Sequence, residues 1–492
     1  VTDAAKRQAE LPSRAQLLTR LDDAKPWDVI VVGGGATGLG VALDAVSRGF
    51  RTLLVEAGDF ASGSSSRSTK LVHGGVRYLA QGNVALVREA LAERALLLQN
   101  APHLAHPLGF IVPTYRWHER MFYGAGLKLY AALAGERSLG DTELLGADEV
   151  RQAAPGVNPV GLRGGVRYWD GQFDDARLAI ALMRTAQDAG ATLLNYLQCT
   201  GISTDIDGVC GVRLLEATSG RTFRCNGRLV INATGVWVDR LRSMVRQVEP
   251  AWVSVSQGVH IALPANALGG TDALLVPRTS DGRVLFAVPW HGVTLLGTTD
   301  TARRDAPVDP RPLDGEVDYL LRTASPYLAR QPARSDILAT FCGLRPLIGR
   351  RNSGAATKSL SREHAVIEDI PGLISVTGGK WTTYRRMAED VMGLATRLKR
   401  LPARPCRTHD LRLCDAVLPT EALEACILTS LSSGTPNLPL QVTQQMNAMI
   451  RNEAVMTVDD LLFRRLRIGC THERESRALR SLAEGLIERC HG

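Results

Sequence analysis

Apolar positions along this chain fall into distinct rhythms, and each rhythm marks an element. Val29–Val32 and Thr52–Val55 are short, nearly continuous apolar runs, the pattern of strands buried on both faces of a parallel sheet. Between them, the stretch that follows Gly38 reads as a helix to Arg48 that Gly49 ends. The segment "VRYWDGQFDDARLAIALMRTAQDAGATLL", Val166 to Leu194, predicts a strand, a turn, an amphipathic helix and another strand. A strong helical pattern runs from Val84 to Gln99. "RLVINATGVWVD" places a buried strand before Ala233-Thr234-Gly235, and "ISVTGGKWTTYRRMAED" predicts a strand, two glycines and a helix. "RVLFAVPW" and "VTLLGTTD" predict a hairpin turning at His291-Gly292. "SQGVHIAL" alternates like a half-buried strand opened by His260.

The first strand, helix and second strand carry chemistry. Gly33, Gly35 and Gly38 fit G-x-G-x-x-G, with Ala36 and Thr37 inside the motif. Gly33 permits the tight turn, Gly35 lets the backbone approach a pyrophosphate, and Gly38 allows close helix–strand packing. The helix N-terminus then faces the phosphate charge. Glu56, about 18 residues past Gly38, stands where a carboxylate bonds ribose hydroxyls. This predicts dinucleotide binding without separating FAD from NAD. The alternative, a glycine-rich turn in another doubly wound domain, leaves Glu56 unexplained. After the second strand an NAD enzyme usually starts another crossover helix. Here the chain runs into "SGSSSRSTKLVHGGVRYL", Ser62 to Leu79. Its Ser64, Ser65, Ser66, Ser68 and Thr69 suit either a cofactor in a cleft or a solvated surface loop.

The 492 residues are 45% hydrophobic and 22% charged, which places them among globular chains of two or three domains, or one large interleaved domain with an appendage. Lys+Arg 58 against Asp+Glu 50 leaves a net charge of +8. That excess suits an anionic ligand, an anionic lipid surface or nucleic acid without choosing among them. The 9 cysteines include no C-x-x-C pair, so neither a metal site nor a disulfide framework is expected, only thiols in a reducing cytoplasm. Residues 1–26 are charged throughout and lack the apolar core of a secretory signal. No run approaches the roughly 18 apolar residues of a membrane-spanning helix, so attachment to a membrane would be at its surface. The chain is only 5% aromatic, yet Tyr115, Trp117, Phe122, Tyr123 and Tyr130 cluster with Arg116, Arg120 and Lys128 in residues 114–133. A basic, aromatic, amphipathic segment suits the headgroups of an anionic bilayer. Packing on the protein's own core is the alternative.

Further motifs extend the pattern. "LLGTTD" ends at Asp300, "CGLRPL" holds Arg345, and "LSREH" holds Arg362. With the Ser62–Leu79 loop and the glycine pair Gly378-Gly379, these segments, in this order from Trp27 to about Leu398, resemble the FAD-dependent glycerol-3-phosphate dehydrogenases of the respiratory type. The resemblance implies an α/β fold: a Rossmann-like FAD-binding domain of the glutathione-reductase/D-amino-acid-oxidase type, an inserted antiparallel-sheet substrate domain and a C-terminal helical domain. It divides the chain into an N-terminal extension (1–26), an FAD part (27–105, 165–240, 335–398), a substrate part (106–164, 241–334) and a short helical domain (405–492). "NEAVMTVDDLLFRRLRIG" looks like part of that last domain. The implied reaction oxidises sn-glycerol 3-phosphate to dihydroxyacetone phosphate by hydride transfer from C2 to FAD, and the electrons pass to a membrane quinone. The implied setting is the cytoplasm, with peripheral attachment through residues 114–133 to an anionic lipid surface on the cytoplasmic face of the inner membrane. A homodimer is compatible with the resemblance; nucleic acid is not among the partners it implies.

The resemblance also assigns residues. The cofactor would meet Gly33, Gly35, Ala36, Thr37 and Gly38, then Glu56 and Ala57. Ser68, Thr69, His73, Gly74 and Gly75 would form its clamp, with Thr234 and Gly235 opposite. Gly378, Gly379, Lys380 and Thr382 would bring backbone donors and a cation to the negative charge on the reduced ring. Thr382 and Thr383 are also candidate helix caps. Arg77, Arg345, Arg362, Tyr78 and Lys380 would bind the substrate, since arginine's fork of donors matches phosphate oxygens. His260 and Arg345 are the catalytic candidates, and His260 is preferred as the base because arginine stays ionised. An ordinary imidazole would make the rate fall at acid pH near 6.5. Two other readings stay open: a related flavoprotein acting on an amino acid or 2-hydroxy acid, and an FAD-holding sensor without turnover.

Overall fold

The computed structural model describes residues 12–79, 82–246, 251–277, 279, 282–349, 363–433 and 438–491, excluding the Arg77 side chain. One sheet has six strands in the order His364–Ile370, Leu373–Gly378, Val230–Asn232, Val29–Val32, Thr52–Val55 and Thr192–Leu194. All its pairings are parallel except that of His364–Ile370 with Leu373–Gly378. The continuous apolar runs follow from this placement, because Val29, Ile30, Leu53, Leu54, Val230 and Ile231 are buried on both faces. Helices Ala36–Ser47, Asp175–Asp188 and Tyr384–Arg397 cover one face of the sheet, sharing a core with Val29, Val31 and Leu54. The antiparallel meander of Leu197–Asp205, Gly208–Glu216 and Thr222–Asn226 covers the other face against Ile30, Val32 and Leu53.

A second, larger sheet of ten strands is mostly antiparallel. The hairpin expected at His291-Gly292 joins Leu285–Trp290 to Val293–Gly297, with Trp290 facing Val293. His291 (φ 47°) and Gly292 (φ 70°) are both left-handed, as a primed hairpin turn requires. Two of the stretches that the resemblance assigns to the FAD part, 165–240 and 335–398, each contribute a strand to this sheet. Gly164–Phe173 pairs along its whole length with Ala105–Thr114, and Ala339–Ile348 pairs with Val253–Pro264. His260 does not open a strand; it lies within Val253–Pro264 and is 2% exposed. The Ser62–Leu79 segment is also no solvated loop. It holds a short helical turn at Ser64–Ser66, a strand at Leu71–Val72 in the large sheet and a helical turn at Val76–Leu79.

After Arg397 the chain reaches helices Glu421–Ser432, Leu440–Asn452 and Asp460–Arg465, then short helices ending at His491. They share a core of their own around Ile427, Met446, Leu461, Leu466 and Ile468. Among the described residues no helix is long and apolar enough to cross a membrane.

Candidate active site

A cavity of about 700 Å³ lies between the two sheets. One wall is made by the carboxyl ends of the parallel strands, at Val32-Gly33, Val55-Glu56, Ala233-Thr234 and Thr377-Gly378. Ligands of open α/β sheets bind at such strand ends. The other wall is the large sheet, with Phe110, Tyr168, Leu275 and Phe286.

At the first wall Gly33 has φ 114°, and a Cβ there would stand 2.6 Å from the Ala233 carbonyl oxygen, so the tight turn needs glycine. Helix Ala36–Ser47 then starts with its N-terminus at the cavity, and the Ala36 N–H donates to Ser65 Oγ at 2.9 Å. Glu56 accepts hydrogen bonds from Gly34 N–H (2.6 Å) and Gly58 N–H (2.8 Å). Burial pushes its carboxyl up, and these backbone donors oppose the shift. Ala57, Thr37, Thr234 and Gly235 also line this end. Gly38 does not. It is behind the wall, where a Cβ would collide with the Gly33 carbonyl oxygen at 1.9 Å, which is the helix–strand packing expected of it.

At the other end Gly378, Gly379, Lys380 and Thr382 line the cavity together with His73, Gly75 and Tyr78. Lys380 Nζ sits 4.1 Å from the centre of the Tyr78 ring. Thr383 stands at the N-cap position of helix Tyr384–Arg397, but its side chain makes no capping hydrogen bond, and Thr382 lies one residue earlier in the turn Trp381–Thr383. The His73 N–H donates to Thr382 Oγ1 at 3.3 Å, and Thr383 Oγ1 donates back to the Lys380 carbonyl at 3.2 Å. Gly74 also departs from its expected place, packing under Tyr130 and Leu91 rather than facing the cavity.

His260 and Arg345 do meet in this space. The His260 ring stacks on Phe341 (centroids 4.9 Å apart, 13° between planes), and its Nε2 is 2.9 Å from Thr69 Oγ1. Its Nδ1 is buried with no hydrogen-bond partner among the described residues. Burial pushes the imidazole well below its ordinary range, and the cations Lys70 and Arg345 push it further down. Arg345 donates to the Thr299 carbonyl and to Thr298 Oγ1, both at 2.9 Å, and lies 3.6 Å from Asp300. Arg283, 3.7 Å from Asp300, lines the same region; no sequence motif had singled it out. Asp300 had appeared only as the end of a motif.

Two clamp residues also bond within the protein. Ser68 and Thr69 both line the cavity, where the Ser68 hydroxyl donates to Asp175 at 2.7 Å and Thr69 Oγ1 meets His260. Arg77 sits in the Val76–Leu79 helical turn, and Arg362 lies outside the described residues.

Residues 28–385 match the family described as FAD dependent oxidoreductase. The chain is 42% identical over 422 residues to a mitochondrial glycerol-3-phosphate dehydrogenase of Arabidopsis thaliana, covering 82% of this chain and 67% of that protein. It is 42% identical over 420 residues to the human mitochondrial enzyme, covering 82% of this chain but 57% of that protein. Thus the chain spans roughly three fifths of the length of these curated relatives. Among solved structures, the glycerol-3-phosphate dehydrogenase from Bacillus halodurans complexed with FAD matches with a TM-score of 0.74 and 27% identity, covering 97% of this chain and 93% of that one. A match across the cofactor wall, both sheets and the intervening chain leaves one assignment: the chain belongs to the family of FAD-dependent oxidoreductases.

Proposed function

We propose that this chain oxidises sn-glycerol 3-phosphate to dihydroxyacetone phosphate and delivers the electrons to a membrane quinone. The residues present fit FAD. The cavity has the size of a cofactor site, one end is a glycine-lined helix N-terminus, and Glu56 stands at the end of the second strand. Gly33, Gly35, Ala36 and Thr37 would hold the pyrophosphate, Glu56 the ribose, and Thr234-Gly235 with Gly378–Lys380 the remainder. When bound, FAD supplies the acceptor for the hydride leaving C2.

The protein's own groups handle the rest. Arg345, Lys380 and Tyr78, joined by Arg77 and Arg362 on the family pattern, bind the phosphate dianion through charge-assisted bonds. His260 takes the C2 hydroxyl proton. In the tautomer that carries its hydrogen on Nε2 and donates it to Thr69 Oγ1, the lone pair of Nδ1 is the base, and the C2 oxygen becomes a carbonyl as the proton reaches Nδ1. The observations that carry this reading are that His260 lines the cavity together with Arg345 and Lys380, and that its buried Nδ1 has no hydrogen-bond partner among the described residues. The depressed imidazole changes the expected pH profile. His260 stays neutral through pH 6.5, so the acid limb of the rate lies well below that value.

The same proposal includes attachment to anionic lipid. Helix Glu119–Ala134 buries Leu127, Tyr130 and Ala134, so part of it does pack on the core. Its other side exposes Met121, Phe122 (72%) and Leu129, beside Trp117 (80%). Exposed apolar groups next to Arg116 and Lys128 suit a headgroup layer.

The test is anaerobic addition of glycerol 3-phosphate to the yellow holoenzyme. Bleaching of the flavin is expected, and His260→Gln should slow it by about 10²–10⁴-fold with FAD content unchanged. Bleaching by an amino acid or 2-hydroxy acid but not by glycerol 3-phosphate would sink the substrate assignment. No bleaching by any of them would favour a sensor.

A further inference from the structure

Lys70 is the neighbour of Thr69 and is fully buried. It adopts a left-handed backbone conformation (φ 64°) rarely taken by residues other than glycine, asparagine and aspartate. Its ammonium donates to the Ser66 carbonyl (2.9 Å) and to both carboxylate oxygens of Asp175 (3.0 and 2.8 Å). Asp175 in turn accepts from Ser68 Oγ (2.7 Å) and from Arg467 Nη2 (2.7 Å), an arginine of the C-terminal helical region. A buried ion pair of this kind is weak evidence for stability, because desolvation offsets much of the attraction. Its position suggests another use. Lys70 Nζ lies 4.8 Å from the centre of the Phe341 ring, and that ring stacks on His260. The next residue towards the N-terminus, Thr69, holds His260 Nε2. Both neighbours that orient the imidazole are therefore held by Lys70 or adjoin it.

We propose that Lys70, clamped by Asp175 and Arg467, is a positioning residue for His260, acting on it through Thr69, Phe341 and its own charge. The inference rests on the reading of His260 as the base. The charges of Lys70, on the Ser62–Leu79 segment, and of Arg345, on the Ala339–Ile348 strand, both oppose protonation of the imidazole. Asp175, at the start of helix Asp175–Asp188, favours protonation. Replacing Lys70 by methionine removes the cation, leaves the anion, and so raises the imidazole's affinity for protons.

The experiment follows His260 directly, by NMR of ring-labelled histidine in the holoenzyme, with His260→Gln assigning the signal. In Lys70→Met the His260 titration, and with it the acid limb of flavin reduction, should move up by about 1–2 pH units. The rate above pH 8 should fall far less than the rate on the acid limb. A rate lowered equally at every pH, with the titration unmoved, would show a merely structural lysine and overturn the proposal. Should Lys70→Met not fold, Lys70→Met with Asp175→Asn removes both charges of the pair, and an upward shift is again expected. A wild-type imidazole titrating near 6.5 would refute the idea without any variant. The titration does not depend on catalysis. If His260→Gln keeps wild-type turnover, the base assignment fails while the Lys70 result still stands or falls by itself.

Discussion

Replacing Asp59 by asparagine should loosen the C-terminal helices from the cofactor loop. Asp59 follows the Glu56–Gly58 wall and is 1% exposed. Its carboxylate takes both Arg464 Nε and Arg465 Nη1 on one oxygen, with Arg465 Nη2 (3.0 Å) and Asn195 Nδ2 (3.2 Å) on the other. Arg464 would keep Asp460 at 2.6 Å, whereas Arg465 would keep only the Glu453 carbonyl. Breaking a buried pair from one side costs about 3–5 kcal/mol, because the remaining charge stays desolvated. At about 1.4 kcal/mol per factor of ten, the docked state should lose on the order of 10²–10³-fold in its equilibrium.

Limited proteolysis measures that equilibrium through cleavage of the transiently undocked helices, and FAD release measured alongside reports on the loop. The Asp59→Asn variant should be cleaved faster by the same order and should retain FAD more weakly. Unchanged cleavage would mean that this ion cluster does not hold the two regions together. The pH dependence gives a second check. Burial alone would raise the Asp59 carboxyl, but Arg465 and Arg464 outweigh it and hold it below the ordinary range. A group whose folded value is depressed contributes stability that is fully present above its unfolded value, about 3.9. The contribution is lost as pH falls through the lower, folded value. Docking should thus be insensitive to Asp59 from pH 5 to 8, and the acid-induced loss attributable to this group should vanish in the variant.

Arg345→Ala should raise the KM for glycerol 3-phosphate by roughly 10–150-fold, the equivalent of about 1.5–3 kcal/mol for a charge-assisted contact, while unphosphorylated glycerol is affected much less. Equal losses for both would remove the phosphate-binding role. Trp117→Ala with Phe122→Ala should cut co-sedimentation with anionic vesicles without changing dye-linked turnover, and wild-type binding should weaken with salt, since exposed charges are screened within about 10 Å at 0.1 M. Undiminished vesicle binding would confine the helix to a structural role.

What could be read from the sequence depended on how local its cause was. The parallel strands, the Gly33–Gly38 turn and the His291-Gly292 hairpin each follow from neighbouring residues, through continuous burial, a forced left-handed φ or a primed turn. Strand partners do not. Alternation reveals which faces a strand has, but it does not reveal which strand it joins. Gly164–Phe173, followed by a helix and Thr192–Leu194, imitates a strand–helix–strand unit of the parallel sheet while pairing with Ala105–Thr114 in the other sheet. Charge pairing is the least local cause. The arginines of the "FRRLR" run are buried here, which charges seldom are without partners. Their partners Asp59 and Asp175 lie 406 and 292 residues away along the chain from Arg465 and Arg467. The same distance limits what could be said of His260. Its identity as a candidate base was legible, but its protonation was not. That property is set by burial in a strand interior and by cations reaching it from a loop and a neighbouring strand, so it exists only once the chain has folded.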